Sequence, residues 1–308
     1  MTTTETLPHA SSFVSVQPVR LPARERGADL LVRVTAPSEG EGLPVVVFSH
    51  GYAELMEGYA PLAHAWAAAG FVVIQPAHLD CRPFALPPTD PRTPDLWRHR
   101  IADLREVIDE LDTVERAVPG MAGRFDHRRV AVAGHSWGAT TASALLGARV
   151  VGADGEVGED MTDSRVSAGV LLAVAGTGGD NLTPFAAEHF AFMNPDFSAM
   201  NTPALLVAGE KDQSPLSGRG PEWWTEAYTL SPAPKVLLTL ADAEHTMGGV
   251  AGYSTHPITD WNIERVEMVQ QITTAYLRRQ LADDARVWTQ VENAMKESAE
   301  NRGALQST

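Results

Sequence analysis

The chain has 308 residues, enough for one large α/β domain or two small ones around a sizeable core. Hydrophobic residues make up 44% and charged residues 20%, an ordinary balance for a globular enzyme. A formal charge of −15, from 24 basic against 39 acidic residues, repels phosphate backbones and argues against nucleic acid as a partner. The single cysteine, Cys81, excludes an intrachain disulfide and a multi-cysteine metal site. "MTTTETLPHASSF" has no basic start followed by an apolar stretch, and no apolar run reaches membrane-spanning length. The expectation is a cytoplasmic protein without a membrane span, its oligomeric state left open.

Residues 1–12 read as a polar, flexible lead-in. "FVSVQPVRLPA" and "ADLLVRVTAP" are β-rich and joined by polar "RERG", which predicts an antiparallel opening pair. "PVVVFSH" is a short, continuous apolar run, the mark of a strand buried on both faces. A helix, "YAPLAHAWAAAG", leads to the strand "FVVIQPA" and a proline-rich loop over 76–94. Over 94–118, Trp97, Ile101, Leu104, Ile108 and Leu111 recur at fours and threes, predicting one amphipathic helix with Pro94 near its first turn.

Then come strand "RVAVAGH", helix "WGATTASALLGA", strand "AGVLLAVAG", strand "PALLVAGE", helix "PEWWTEAYTL" and strand "KVLLTL". A helix over 259–281 closes the alternation, and "DDARVWTQVENAMKES" adds another with Trp288, Val291 and Met295 on one face. The fold class is α/β: a mostly parallel central sheet, an antiparallel N-terminal edge, and helices on both faces. The domain is expected over 13–281, with an extra C-terminal helix and tail over 282–308. Two stretches fall outside the alternation. Residues 151–165 are acidic and glycine-rich, as in a solvated excursion. Residues 176–200 carry Phe185, Phe190, Phe192, Met193 and Phe197 and suit a partial cap or pocket wall.

Within "VAVAGHSWGATTASALLGA", a buried strand pushes Ser136 out between Gly134 and Gly138 before a helix begins. Gly-x-Ser-x-Gly in that setting is a nucleophile elbow, whose strained serine needs neighbours without bulk. A serine needs an adjacent base, itself oriented by a carboxylate. Downstream lie three histidines, His189, His245 and His256. His245, in the loop after "KVLLTL", is the expected base. His189 sits in the aromatic segment, and His256 precedes Pro257 where it would cap the last helix. Asp212, in the polar turn after "PALLVAG", is the expected acid, with Asp180 and Glu210 as rivals. Backbone N–H groups of Trp137 and Tyr52 are the expected oxyanion donors. His50 and His135 read as scaffold. Tyr52, Trp223 and Trp224 are candidate substrate contacts, with one of the tryptophan pair packed inward and the other rimming the cleft. Cys81 is expected to be buried.

The elbow, the "SHGY" loop, and Asp212 and His245 after successive strands resemble the α/β-hydrolase superfamily from about residue 45 to 281. "FSHGYAE" and "LAHAWAAAGFVVIQPAHLD" are similar to the branch of dienelactone-hydrolase-like, chlorophyllase-like, platelet-activating-factor-acetylhydrolase-like and polyester-hydrolase-like enzymes. Dienelactone hydrolases proper carry a cysteine where this chain has Ser136. Dehalogenases and epoxide hydrolases carry an aspartate there, which disfavours those chemistries. The resemblance implies hydrolysis through an acyl-enzyme, with no cofactor and no metal. The leading expectation is a serine hydrolase for hydrophobic carboxylic esters as small-molecule substrates. A lactonase, an acyltransferase or perhydrolase, and a non-catalytic ligand receptor on the same fold remain open.

Overall fold

The computed structural model describes residues 12–152, 154–297 and 302–308; all but the last residue of the lead-in expected over 1–12 lies outside them. β1 (Phe13–Leu21) and β2 (Leu30–Pro37) pair antiparallel, as the sequence predicts. β3 (Leu43–Ser49), α1 (Ala60–Ala68) and β4 (Val72–Pro76) follow, and every residue of β3 and β4 is buried. Burial on both faces is why these strands are continuous apolar runs rather than alternating ones.

The helix predicted over 94–118 is two: α2 (Leu96–Asp109) and α3 (Leu111–Ala117), with Pro94 inside a preceding 3₁₀ turn. The break is at Glu110, whose N–H donates to Glu106 O while its own carbonyl accepts from Thr113 and Val114. β5 (Phe125–His135) and α4 (Trp137–Leu145) carry the elbow. The acidic excursion leaves from β6 (Arg149–Val150) and returns to β7 (Val166–Leu172). The aromatic segment contains α5 (Pro184–His189) and β8 (Pro195–Asp196), which pairs antiparallel with β6 and anchors the segment to the body.

β9 (Ala204–Gly209), α6 (Glu226–Leu230) and β10 (Lys235–Leu240) come next; "PEWWT" is a 3₁₀ turn leading into α6 rather than its first half. α7 (Ile263–Leu281) and α8 (Ala285–Glu297) close the helices. The expected tail adds a strand instead, β11 (Gly303–Ser307), antiparallel to β10.

The main sheet has nine strands in the order β1-β2-β4-β3-β5-β7-β9-β10-β11. β4 through β10 run parallel in that order, and both outer edges are antiparallel. α1 packs with α7 and α2 with α4, each pair covering part of the sheet. No helix among the described residues is long and apolar enough to cross a membrane. The loops bearing Tyr52, Asp80, Ser136, Asp212 and His245 all leave the carboxyl ends of parallel strands, which places them at one rim of the sheet.

β11 covers the open edge of β10, and an uncovered edge is a template for intermolecular pairing. Removing residues 303–308 is predicted to lower the thermal midpoint and cause concentration-dependent light scattering. A truncated chain that melts and scatters like the full one would show that β11 protects nothing.

Candidate active site

Ser136 stands between β5 and α4 with φ 56° and ψ −125°, a backbone conformation that is costly for a residue with a side chain. Close backbone approach holds it there. A Cβ on Gly134 would lie 2.2 Å from Gly138 O, and one on Gly138 would lie 2.0 Å from Ser49 O. Neither position admits a side chain.

The structure brings Ser136, His245 and Asp212 into one hydrogen-bonded line. His245 Nδ1 donates to Asp212 Oδ2 at 2.8 Å, so its Nε2 accepts from Ser136 Oγ at 2.9 Å. Asp212 is wholly buried, whereas the His245 side chain is 37% exposed, so the line runs from the interior to the surface. Asp180 and Glu210 are both exposed. His189 is half-exposed beside Glu188 and Phe185.

His256 does not cap the last helix. Asn262 does, accepting from Arg265 N at 3.0 Å, and α7 starts seven residues beyond His256. His256 turns instead to Glu54, with Nδ1 2.9 Å from Oε1, and Thr255 N donates to the same carboxylate at 2.9 Å. Burial opposes the charge on Glu54, but the hydrogen bonds from His256, Ser254 and Thr255 outweigh it and hold the carboxyl below its usual range.

Trp223 and Trp224 are both buried, so the split expected of them is not found. Trp223 donates from Nε1 to Thr177 O at 2.9 Å and belongs to the core. Trp224 donates to Asp212 O at 3.1 Å, and its ring lies 4.9 Å from that of His245. His135 flanks the same imidazole, also at 4.9 Å. The aromatic surface beside Ser136 comes from other residues. Tyr52, 48% exposed, lies 5.4 Å from the Trp137 ring and 6.0 Å from Phe190, and Phe192 stacks on Trp137 at 5.2 Å.

Behind Phe192, a cavity of about 370 Å³ opens between Trp97, Met161 and the excursion residues Asp154, Glu156, Val157 and Glu159; Ser136 and His245 do not line it. Trp137 is the first residue of α4, so its N–H has no acceptor within the helix. The Ala53 N–H is taken by Asp80 Oδ2 at 3.0 Å, which leaves the Tyr52 amide as the adjacent donor in that loop.

Sequence reasoning missed most of what supports these loops. His135 Nε2 donates to His245 O at 2.9 Å, so its Nδ1 accepts from Tyr59 Oη at 2.8 Å. Tyr59 Oη in turn accepts from Gly51 N at 3.2 Å. One chain of hydrogen bonds thus ties the Tyr52 loop to the His245 loop through the elbow. Asp260 holds the His245 loop from the other side, accepting from Glu244 N and Gly248 N at 3.0 Å each, and pairs with Arg265 at 3.1 Å. His50 donates to Gly51 O at 2.7 Å and accepts from His78 N at 3.2 Å. Burial, with help from the Arg100 charge, drives the His50 pKa down to about 4.

Cys81 is buried as expected, and burial pushes its thiol up to about 11. Asp112, Glu115 and His127 present ligand atoms within 4.8 Å of one another, but at the amino-terminal end of β5, opposite Ser136.

A sheet of this order, with a serine on a strained strand-to-helix turn, defines an α/β hydrolase architecture. A family model described as the alpha/beta hydrolase family matches residues 46–297, and the protein belongs to that family. No curated protein matches the chain. Family membership supports a hydrolase.

Burial, then the neighbouring His245, lowers the His135 pKa from 6.5 to about 3. Between those values the unfolded chain takes up a proton at this position that the folded chain refuses, so folding stability falls as pH drops through that window. His135→Gln is predicted to make stability less dependent on pH between about pH 6 and pH 4, by up to about 1.4 kcal/mol per pH unit. Denaturant unfolding at several pH values measures both slopes. Parallel slopes would mean that His135 is not held neutral.

Proposed function

We propose that the protein is a serine hydrolase that cleaves hydrophobic carboxylic esters through an acyl-enzyme. The observation that carries this reading is the unbroken line Asp212–His245–Ser136, with its serine on the elbow. Ser136 Oγ attacks the ester carbonyl carbon as His245 Nε2 takes its proton. Asp212 fixes the imidazole tautomer and stabilises the imidazolium. The negative oxygen of the tetrahedral intermediate is received by the N–H groups of Trp137 and Tyr52, the former at the positive end of the α4 dipole. Collapse breaks the bond to the alcohol, which leaves with the proton from His245. Water then attacks the acyl carbon as it gives a proton to the same nitrogen, and the bond to Ser136 Oγ breaks as His245 returns that proton to it, releasing the acid and the free serine.

The substrate side of this reading rests on the aromatic surface. Tyr52, Trp137, Phe190 and Phe192 form a continuous apolar wall, and the 176–200 segment acts as a pocket wall. Arg100, the cation beneath Trp137, is fully buried and paired, so it offers no clamp for an anionic substrate. Neutral, apolar esters fit such a site best.

A fluorophosphonate probe is predicted to label wild type at Ser136 and to leave Ser136→Ala unlabelled, with turnover abolished. Asp212→Asn should lower kcat by about two to four orders of magnitude. Labelling of the alanine variant at the wild-type rate would sink the assignment.

Each buried methylene contributes roughly 0.8 kcal/mol, so kcat/KM is predicted to rise from acetyl esters to longer acyl esters until the wall is covered. Phe190→Ala should flatten that rise while sparing acetyl esters. A wild-type series that declines steadily from acetate would show that the wall does not bind the acyl chain.

A further inference from the structure

We propose that Arg100 and Asp80 are positioning residues that set both oxyanion donors at once. The proposal rests on the ester-hydrolase reading and assigns a task to a buried ion pair that never reaches the substrate. Arg100 is on α2 and is wholly buried, and its Nη1 donates to both carboxylate oxygens of Asp80 at 2.7 Å. Asp80 Oδ2 accepts from Ala53 N at 3.0 Å. On the other side of the same turn, Arg100 Nη2 donates to His50 O and, at 3.3 Å, to Ser49 Oγ. The two peptide groups that bracket Gly51 and Tyr52 are therefore fixed by the two members of one ion pair.

The remaining contacts of Arg100 go to the other donor. Nε donates to Thr141 Oγ1 at 3.2 Å, and Thr141 Oγ1 donates to Trp137 O at 2.9 Å. The guanidinium carbon lies 4.7 Å from the Trp137 ring centroid. Each hydrogen bond from this guanidinium thus ends on the last residue of β3 or the turn that follows it, on Thr141 of α4, or on the carboxylate that holds that turn. Only a planar fork reaches all of them, and an ammonium does not. Oxyanion donors act in the transition state and must be fixed beforehand, so misplacing them lowers kcat rather than weakening substrate binding.

The test uses full-length Arg100→Lys and Asp80→Asn beside wild type, each checked by thermal melting and assayed well below its midpoint. The ester is a p-nitrophenyl ester that wild type hydrolyses, and the transition-state mimic is an alkyl boronic acid. Expected are a kcat lower by about 10- to 1000-fold, KM within about threefold, and boronate affinity reduced in parallel with kcat/KM. The pH midpoint of kcat/KM stays at its wild-type position, because Asp212 and His245 are untouched. Should Arg100→Lys fail to fold, Asp80→Asn decides, since asparagine keeps the shape and an acceptor for Ala53 N. Folded variants with wild-type kcat and boronate affinity would overturn the positioning role and leave the ester reading intact. A wild-type protein inert towards every ester and the boronate would overturn the ester reading, and this proposal with it.

Discussion

Backbone-to-backbone contact between the start of α4 and the end of β3 is the constraint on which the site depends. It requires that neither Gly134 nor Gly138 carry a Cβ. With both side chains absent, β5 ends directly against α4, and α4 rests on the carbonyls of Ser49 and His50. Ser136 is left at positive φ and projects from the sheet rim. The same contact brings the loop after β3 next to the first turn of the helix. Two structural consequences, a strained serine and two adjacent turns, therefore have one cause. The strain persists because surrounding structure over-determines it.

Such a junction has many backbone groups and little water, so its hydrogen bonds need partners that can both give and receive. Buried histidines fill that need. A neutral imidazole has one donor and one acceptor, and its position in a network fixes which is which. His50 joins Gly51 to His78, His78 joins Ser49 to Asp103, and His135 joins Tyr59 to His245. Burial holds all three below the ordinary histidine range. Arg26 balances Asp103 at 2.7 Å, so the carboxylate behind His78 is not left alone in the interior.

The mostly parallel sheet with its antiparallel N-terminal edge, and the placing of Ser136, Asp212 and His245 after successive strands, were legible because each depends on short-range patterns: apolar runs, turn glycines, and the order of residues after strands. Long-range polar contacts leave no such pattern. Arg100 and Asp103 fall on a stripe with Leu96 and Val107, all four of them buried. The apolar period of α2, traced through Ile101 and Leu104, passes beside that stripe and gives no sign that both charges are buried. Two opposite charges three residues apart, flanked by apolar residues one helical turn away, were the available signal. The tryptophan pair failed for a related reason. Expecting a regular helix forced the two rings apart, whereas the 3₁₀ turn buries both and gives each indole N–H a carbonyl. His256 and β11 depend on partners far away in sequence, Glu54 and β10, which local pattern does not disclose.

Trp137 is where these layers meet. Its indole contributes to the apolar wall with Tyr52 and Phe192, and it also lies against the Arg100 guanidinium. A buried cation is tolerable only while it is paired and screened from disordering water, and the indole supplies part of that cover together with a cation–π attraction. The indole that packs with Tyr52 and Phe192 thus also closes the charged layer beneath it. Trimming Trp137 would uncover Arg100 and loosen the loop that it holds. Trimming Phe190, whose ring packs edge-on against those of Tyr52 and Trp137, would remove apolar surface and leave the indole in place over Arg100. Phe190 is therefore free to vary where Trp137 is constrained by what lies below it.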